Sequence, residues 1–84
     1  MPSPQTEVLI TVDGKEHARH ILAPGDYLIG RNSDCPIRVD ADLVSRQHAK
    51  LILNYDHALI EDLGSSNGTQ VNGQAIPKDE RTRL

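Results

Sequence analysis

"LVSRQHAKLILNYDHALIEDL", Leu43–Leu63, holds two strand-like runs and a cluster of polar groups in front of them. From Ala49 onward, small or apolar residues alternate with others as in a half-buried strand. A tight turn falls near Asp56, and "HALIEDL" supplies a second strand. Just before the first strand, Ser45, Arg46, Gln47 and His48 set a hydroxyl, a guanidinium, an amide and an imidazole side by side.

The same period of two extends outward in both directions. "EVLITV" places Val8, Ile10 and Val12 on one face, and Asp13-Gly14 is a hairpin turn signal with a return strand expected within residues 15–22. "APGD" reads as a turn, "YLIG" as a short strand ending at Gly30-Arg31, "RNSDCP" as loop and "IRV" as a brief strand. After Leu63 come a loop at "GSSNG", a strand at "TQV", a second hairpin turn at Asn72-Gly73 and its partner strand "QAI". No stretch of ten residues sustains a helical apolar repeat. The expectation is an all-β sandwich of two packed, mainly antiparallel sheets, with residues 1–5 a flexible lead-in and 6–84 the domain.

Eighty-four residues suffice for one domain, which at this size buries about 60–65% of its unfolded surface. There is no Phe or Trp, so the core is expected to be aliphatic, built from β-branched and Leu side chains. The net charge of −3 argues against nucleic acid or an anionic membrane as a partner. Cys35 is the single cysteine, which excludes an internal disulfide and fits a reducing, cytoplasmic setting. "MPSPQTEVL" has neither the basic start nor the apolar run of a signal peptide, and no window approaches a membrane span.

Four polar groups fall in the loops: Gly30-Arg31, Ser45 to His48, Ser65 to Thr69, and Asn72-Gly73. Chemically they could read an oxyanion. Arginine offers a planar fork of donors suited to phosphate, a serine hydroxyl adds a neutral donor, and an asparagine amide can clamp an extended peptide backbone. Set against this, Asn, Ser and Gly are ordinary turn residues, and a single surface arginine is commonly just solvated. His48 can be a ligand, a base or a structural residue bonded to loop backbone, and the last is the commonest fate of an imidazole at a strand start. His17 and His20, three apart on a strand, point to opposite faces and cannot share a metal ion, and Cys35 has no partner at a ligand spacing. A Ser45–His48 hydrolase lacks a nucleophile elbow and room for a substrate pocket. "VDGKEH" lacks the glycine and hydroxyl of a nucleotide loop. Neither enzyme activity nor a metal or other cofactor is expected.

Taken in order, "IGR" (29–31), "SRQHA" (45–49), "GSSNGT" (64–69) and "VNG" (71–73) resemble the signature blocks of the forkhead-associated (FHA) domain, a β-sandwich that reads phosphothreonine peptides. The resemblance implies that Arg31 and Ser45 contact the phosphate with Arg46 assisting. It further implies that Ser66 lines the phosphothreonine site, that Asn67 holds the peptide backbone, and that His48 braces the loops. Gly30, Gly68, Asn72 and Gly73 would set turns. The implied function is a phosphothreonine-peptide-binding signalling module that recruits phosphorylated partners. The alternative is a phospho-independent interaction or self-association module of the same fold. In a simple meander the loops at Arg31 and Ser45 would fall at opposite ends, so their convergence requires the strand near Ile37–Val39 to switch sheets. FHA domains also add closing strands after the "VNG" hairpin, whereas this sequence stops at "PKDERTRL". The expected result is an unpaired sheet edge and a partly open core, through truncation or through a gap filled by a second chain, as in a homodimer.

Overall fold

The computed structural model describes residues 5–84, which form nine strands and no helix. Of the expected lead-in, residues 1–4 lie outside the described residues, and Gln5 is exposed ahead of the first strand. Strands β1 (Thr6–Val12) and β2 (Lys15–Leu22) make one antiparallel hairpin. Strands β3 (Gly25–Gly30), β4 (Ile37–Arg38), β5 (Ala49–Leu53), β6 (Ala58–Asp62) and β9 (Arg81–Arg83) make a five-stranded sheet in the order β4-β3-β5-β6-β9. A second hairpin joins β7 (Gln70–Val71) to β8 (Gln74–Ala75).

Both hairpins turn where the dipeptides direct. Asp13 and Gly14 have φ of 53° and 76°, and Asn72 and Gly73 have 51° and 83°, the doubly left-handed turn that matches strand twist. In the first hairpin the register slips between Ile10 and Thr11, leaving His17 as the extra residue on β2. His17 is exposed and His20 half-buried, as the alternation of faces requires.

The inner face of the large sheet is assembled by register. Tyr27 lies opposite Leu51, which lies opposite Ile60, and Ile29 lies opposite Ala49. Ala49, Leu51, Leu53 and Ile60 form one buried cluster, against which Val8, Leu22 and Val71 pack from the hairpins. Ile37, Val39 and Val44 form a second, covered by Ile10 and Val12. Leu22, Tyr27 and Ile29 touch both clusters, so the aliphatic core is continuous.

The structure corrects the expected sheet switch. β4 stays in the same sheet and pairs in parallel with β3, Ile29 opposite Ile37 and Gly30 opposite Arg38. The chain drops back after Arg31 and rises again alongside β3, which returns it to the end it had just left. β9 lies within "PKDERTRL", where no strand was expected: Thr82 faces inward opposite Ile60, and the Leu84 N–H donates to the Ala58 carbonyl at 2.8 Å. The second layer is two separate hairpins with a groove of about 690 Å³ between them, so the core is open on that side.

Candidate functional site

Three loops meet at one end of the five-stranded sheet, because β3 ends, β5 begins and β6 ends there. The Arg31 N–H donates to the Ser45 carbonyl at 3.0 Å, the Asn32 N–H to the Arg46 carbonyl at 3.2 Å, and the His48 N–H to the Ile29 carbonyl at 2.8 Å. Gly30 permits this approach. A Cβ built there would lie 2.1 Å from the Arg46 carbonyl oxygen and 3.1 Å from the Cys35 sulfur. The sequence marks Gly30 as turn-setting; in the structure it ends β3 and is needed for close packing of two backbones.

His48 joins the second loop to the third. Its Nδ1 accepts the Ser45 backbone N–H at 3.0 Å, which puts the ring proton on Nε2, and Nε2 donates to the Gly68 carbonyl at 2.8 Å. Both ring nitrogens are thus occupied by backbone, and neither serves the Ser45 hydroxyl. That hydroxyl oxygen instead accepts the Ser66 N–H at 3.1 Å, leaving its own proton for a further acceptor. The Asn67 amide donates to the Leu43 carbonyl at 2.9 Å.

Beneath the third loop lies a carboxylate that the motif reading passes over. Asp62 is 0% exposed, and its oxygens accept the Ser65 N–H at 2.8 Å, the Ser65 hydroxyl at 2.6 Å and the Thr69 hydroxyl at 2.6 Å. Ser65 Oγ in turn accepts the Gly68 N–H at 3.0 Å. Burial opposes the Asp62 charge, yet the hydroxyls of Ser65 and Thr69, the Ser65 N–H and nearby His48 together hold the carboxyl below its ordinary value. The signal is present in "ALIED", where period two puts Asp62 on the core face with Ile60. At the neighbouring loop, burial first and then Asp34 push the Cys35 thiol up, and its S–H donates to the Arg46 carbonyl at 3.4 Å.

The rim of these loops carries Arg31 and Arg46 within a chain of net charge −3. Among the described residues Arg31, half-buried, and Arg46, exposed, pair with no carboxylate, whereas Arg38 reaches Asp40 at 3.9 Å and also donates to the Arg31 carbonyl at 3.0 Å. Arg31, Ser45, Arg46, Ser66 and Asn67 thus converge on one edge, tied together through backbone and through His48 and Gly68. Asn72 and Gly73 are not brought there; they form the β7–β8 turn. Two unpaired guanidiniums, a hydroxyl with a free proton and an amide can together hold a dianion beside an extended backbone.

No described helix is long and apolar enough to cross a membrane, and no described group of His, Cys, Asp and Glu side chains could hold a metal ion.

Comparison with known proteins places this geometry in context. The chain is similar to the FHA domain of CT664 from Chlamydia trachomatis, with a TM-score of 0.78 and 31% identity over 96% of this chain and 81% of that one. It is also similar to the N-terminal FHA domain of Saccharomyces cerevisiae Rad53p, solved in complex with a phosphothreonine peptide. There the TM-score is 0.62 and the identity 31%, over 71% of this chain and 49% of that one. Among curated proteins, human proliferation marker protein Ki-67 is 36% identical over 94% of this chain, which spans only 2% of that protein's length. The FHA domain family model matches residues 27–84, more than half of the chain. With its fold, loop convergence and family match in agreement, the chain belongs to the FHA domain family.

Proposed function

We propose that this chain is a non-catalytic phosphothreonine-peptide-binding module that recruits phosphorylated protein partners in the cytoplasm. Arg31 and Ser45 hold the phosphate, Arg46 adds charge at the rim, Ser66 lines the phosphothreonine pocket, and Asn67 exchanges its Leu43 contact for the backbone of the bound peptide. The observation that carries this reading is the Arg31 N–H···O=C Ser45 bond. It holds the Arg31 and Ser45 backbones side by side, and the Ser45 hydroxyl already spends its acceptor side on the Ser66 N–H. A phosphoryl group carries about −1.5 to −2 charges and three acceptor oxygens, which matches that donor set. The peptide in the Rad53p complex has the same chemistry. The occupied ring nitrogens of His48 leave Ser45 without a general base, which favours binding over hydrolysis.

The test is calorimetric titration of one peptide in phosphothreonine, phosphoserine and unphosphorylated forms. The phosphothreonine form is expected to bind best and the unphosphorylated form not at all. Arg31→Ala should weaken binding by about 10- to 100-fold, the loss of a charge-assisted contact of about 1.5–3 kcal/mol. Equal binding of the unphosphorylated peptide overturns the proposal.

A further inference from the structure

In an asparagine followed by glycine the side-chain amide is unusually open to its own backbone, because no side chain shields the next nitrogen. Of the asparagines at positions 32, 54, 67 and 72, only Asn67 and Asn72 stand before glycine. The fold treats these two differently. Asn72 and Gly73 are exposed in the β7–β8 turn, and among the described residues neither the Asn72 amide nor the Gly73 N–H has a hydrogen-bond partner. At Asn67–Gly68 both groups are engaged. Asn67 Nδ2 donates to the Leu43 carbonyl at 2.9 Å, which draws the amide towards the second loop. The Gly68 N–H donates to Ser65 Oγ at 3.0 Å, and His48 Nε2 holds the Gly68 carbonyl at 2.8 Å. Ser65 is itself fixed: it is 2% exposed, and its hydroxyl donates to the buried Asp62.

We propose that Asn67–Gly68 is a latent self-modification site that the folded third loop keeps shut, and that Asn72–Gly73 is the same chemistry left open. Water or hydroxide takes the proton of the glycine N–H, and the nitrogen attacks the asparagine Cγ. The N–Cγ bond forms, the Cγ–Nδ2 bond breaks, and Nδ2 leaves as ammonia. Water then opens the five-membered imide at either carbonyl, giving aspartate or its β-linked isomer. One water is consumed and one ammonia released, with no oxidant or reductant. At Gly68 the attack requires its N–H to leave Ser65 and the Asn67 amide to leave Leu43, so opening of the loop sets the rate. The product matters at position 67. A carboxylate there cannot donate to the Leu43 carbonyl and sets a negative charge beside Ser66, while the β-linked isomer adds a backbone atom ahead of the carbonyl that holds His48. The resulting loss of ligand affinity rests on the phosphothreonine reading; the gated chemistry does not.

The test follows conversion of each amide to acid by mass-resolved peptide mapping, with the whole chain incubated in mildly alkaline buffer, either folded or in concentrated urea. In urea the two asparagines should convert at comparable rates. In the folded chain Asn67 should be slower than Asn72 by about tenfold or more, since two hydrogen bonds must break first. Equal rates in the folded chain, or the same gap persisting in urea, would overturn the proposal. Ser65→Ala removes the acceptor of the Gly68 N–H and should speed Asn67 about tenfold while leaving Asn72 unchanged. Thr69→Val, which loosens Asp62 and keeps Ser65 in place, should speed it less. No acceleration in either folded variant would overturn the gating, and the wild-type comparison decides the matter if neither variant folds. Asn67→Asp should bind the phosphothreonine peptide about tenfold or more weakly than wild type, and Asn72→Asp within about twofold of it. If the unmodified chain binds no phosphopeptide, the phosphothreonine reading fails and the two rates still decide the chemistry. If it binds and Asn67→Asp binds equally well, the consequence drawn for residue 67 is overturned.

Discussion

Asp62 shows how a single buried side chain can organise a binding loop it never exposes. Its carboxylate gathers the Ser65 N–H and the hydroxyls of Ser65 and Thr69, and so bends residues 63–69 into the arc that carries Ser66 and Asn67. Because the folded carboxyl lies below its ordinary value of 3.8, the native state binds that proton less readily than the unfolded chain. Its contribution to stability is therefore complete above about pH 4 and is lost as pH falls through the folded value. Asp62→Asn should cost about 1–3 kcal/mol near pH 6 by urea denaturation, with the gap to wild type closing towards pH 2. A gap independent of pH would assign the cost to packing instead. The roles implied for Arg31 and Ser45 are legible in their motifs, whose donors sit in short recognisable blocks. Asp62 escapes such a reading because a strand-terminal carboxylate looks like one more surface charge until its facing is worked out from Ile60. Gly30 stands out in its motif as a turn residue, yet its constraint comes from Arg46, sixteen positions along, and not from its own φ.

Elements are legible to unequal degrees. The two hairpins follow from Asp13-Gly14 and Asn72-Gly73, whose left-handed φ values are local properties of the dipeptides. The parallel pairing of β4 with β3 does not, because two residues of strand carry no periodicity and parallel register is decided by the returning chain. β9 is hidden for a similar reason: "RTR" offers one inward threonine between two arginines, and only pairing with β6 makes it a strand. Glycines at two loops separate element from site. Gly68 and Gly73 have φ of 82° and 83° and open space where a Cβ would project, so alanine at either meets backbone strain of about 1 kcal/mol or more without a clash. Both variants should lower the melting temperature by a few degrees. Gly68→Ala alone should also weaken phosphothreonine-peptide binding, because its carbonyl holds His48, whereas Gly73→Ala should leave the affinity within about twofold.

Across the whole molecule, the candidate site exists only when the fold does, since its groups come from three segments joined by tertiary hydrogen bonds. Ligand binding should therefore raise the melting temperature with concentration, by linkage to the folded state. Arg31 and Arg46, which pair with no carboxylate among the described residues, make this binding sensitive to ionic strength. Raising salt from about 0.05 to 0.5 M shortens the screening length from roughly 14 to 4 Å and should weaken phosphothreonine-peptide affinity severalfold, whereas Arg31→Ala should show a shallower dependence. At the far end of β5 and β6, about 17 Å of strand from these loops, Tyr55 sits 75% exposed in the turn between them. The lone thiol, Cys35, is 6% exposed and engaged with the Arg46 carbonyl, so it competes poorly for a maleimide. Tyr55→Cys would therefore give a single reactive handle for a fluorophore or a surface, orienting the domain with the loops of the candidate site held away from the support.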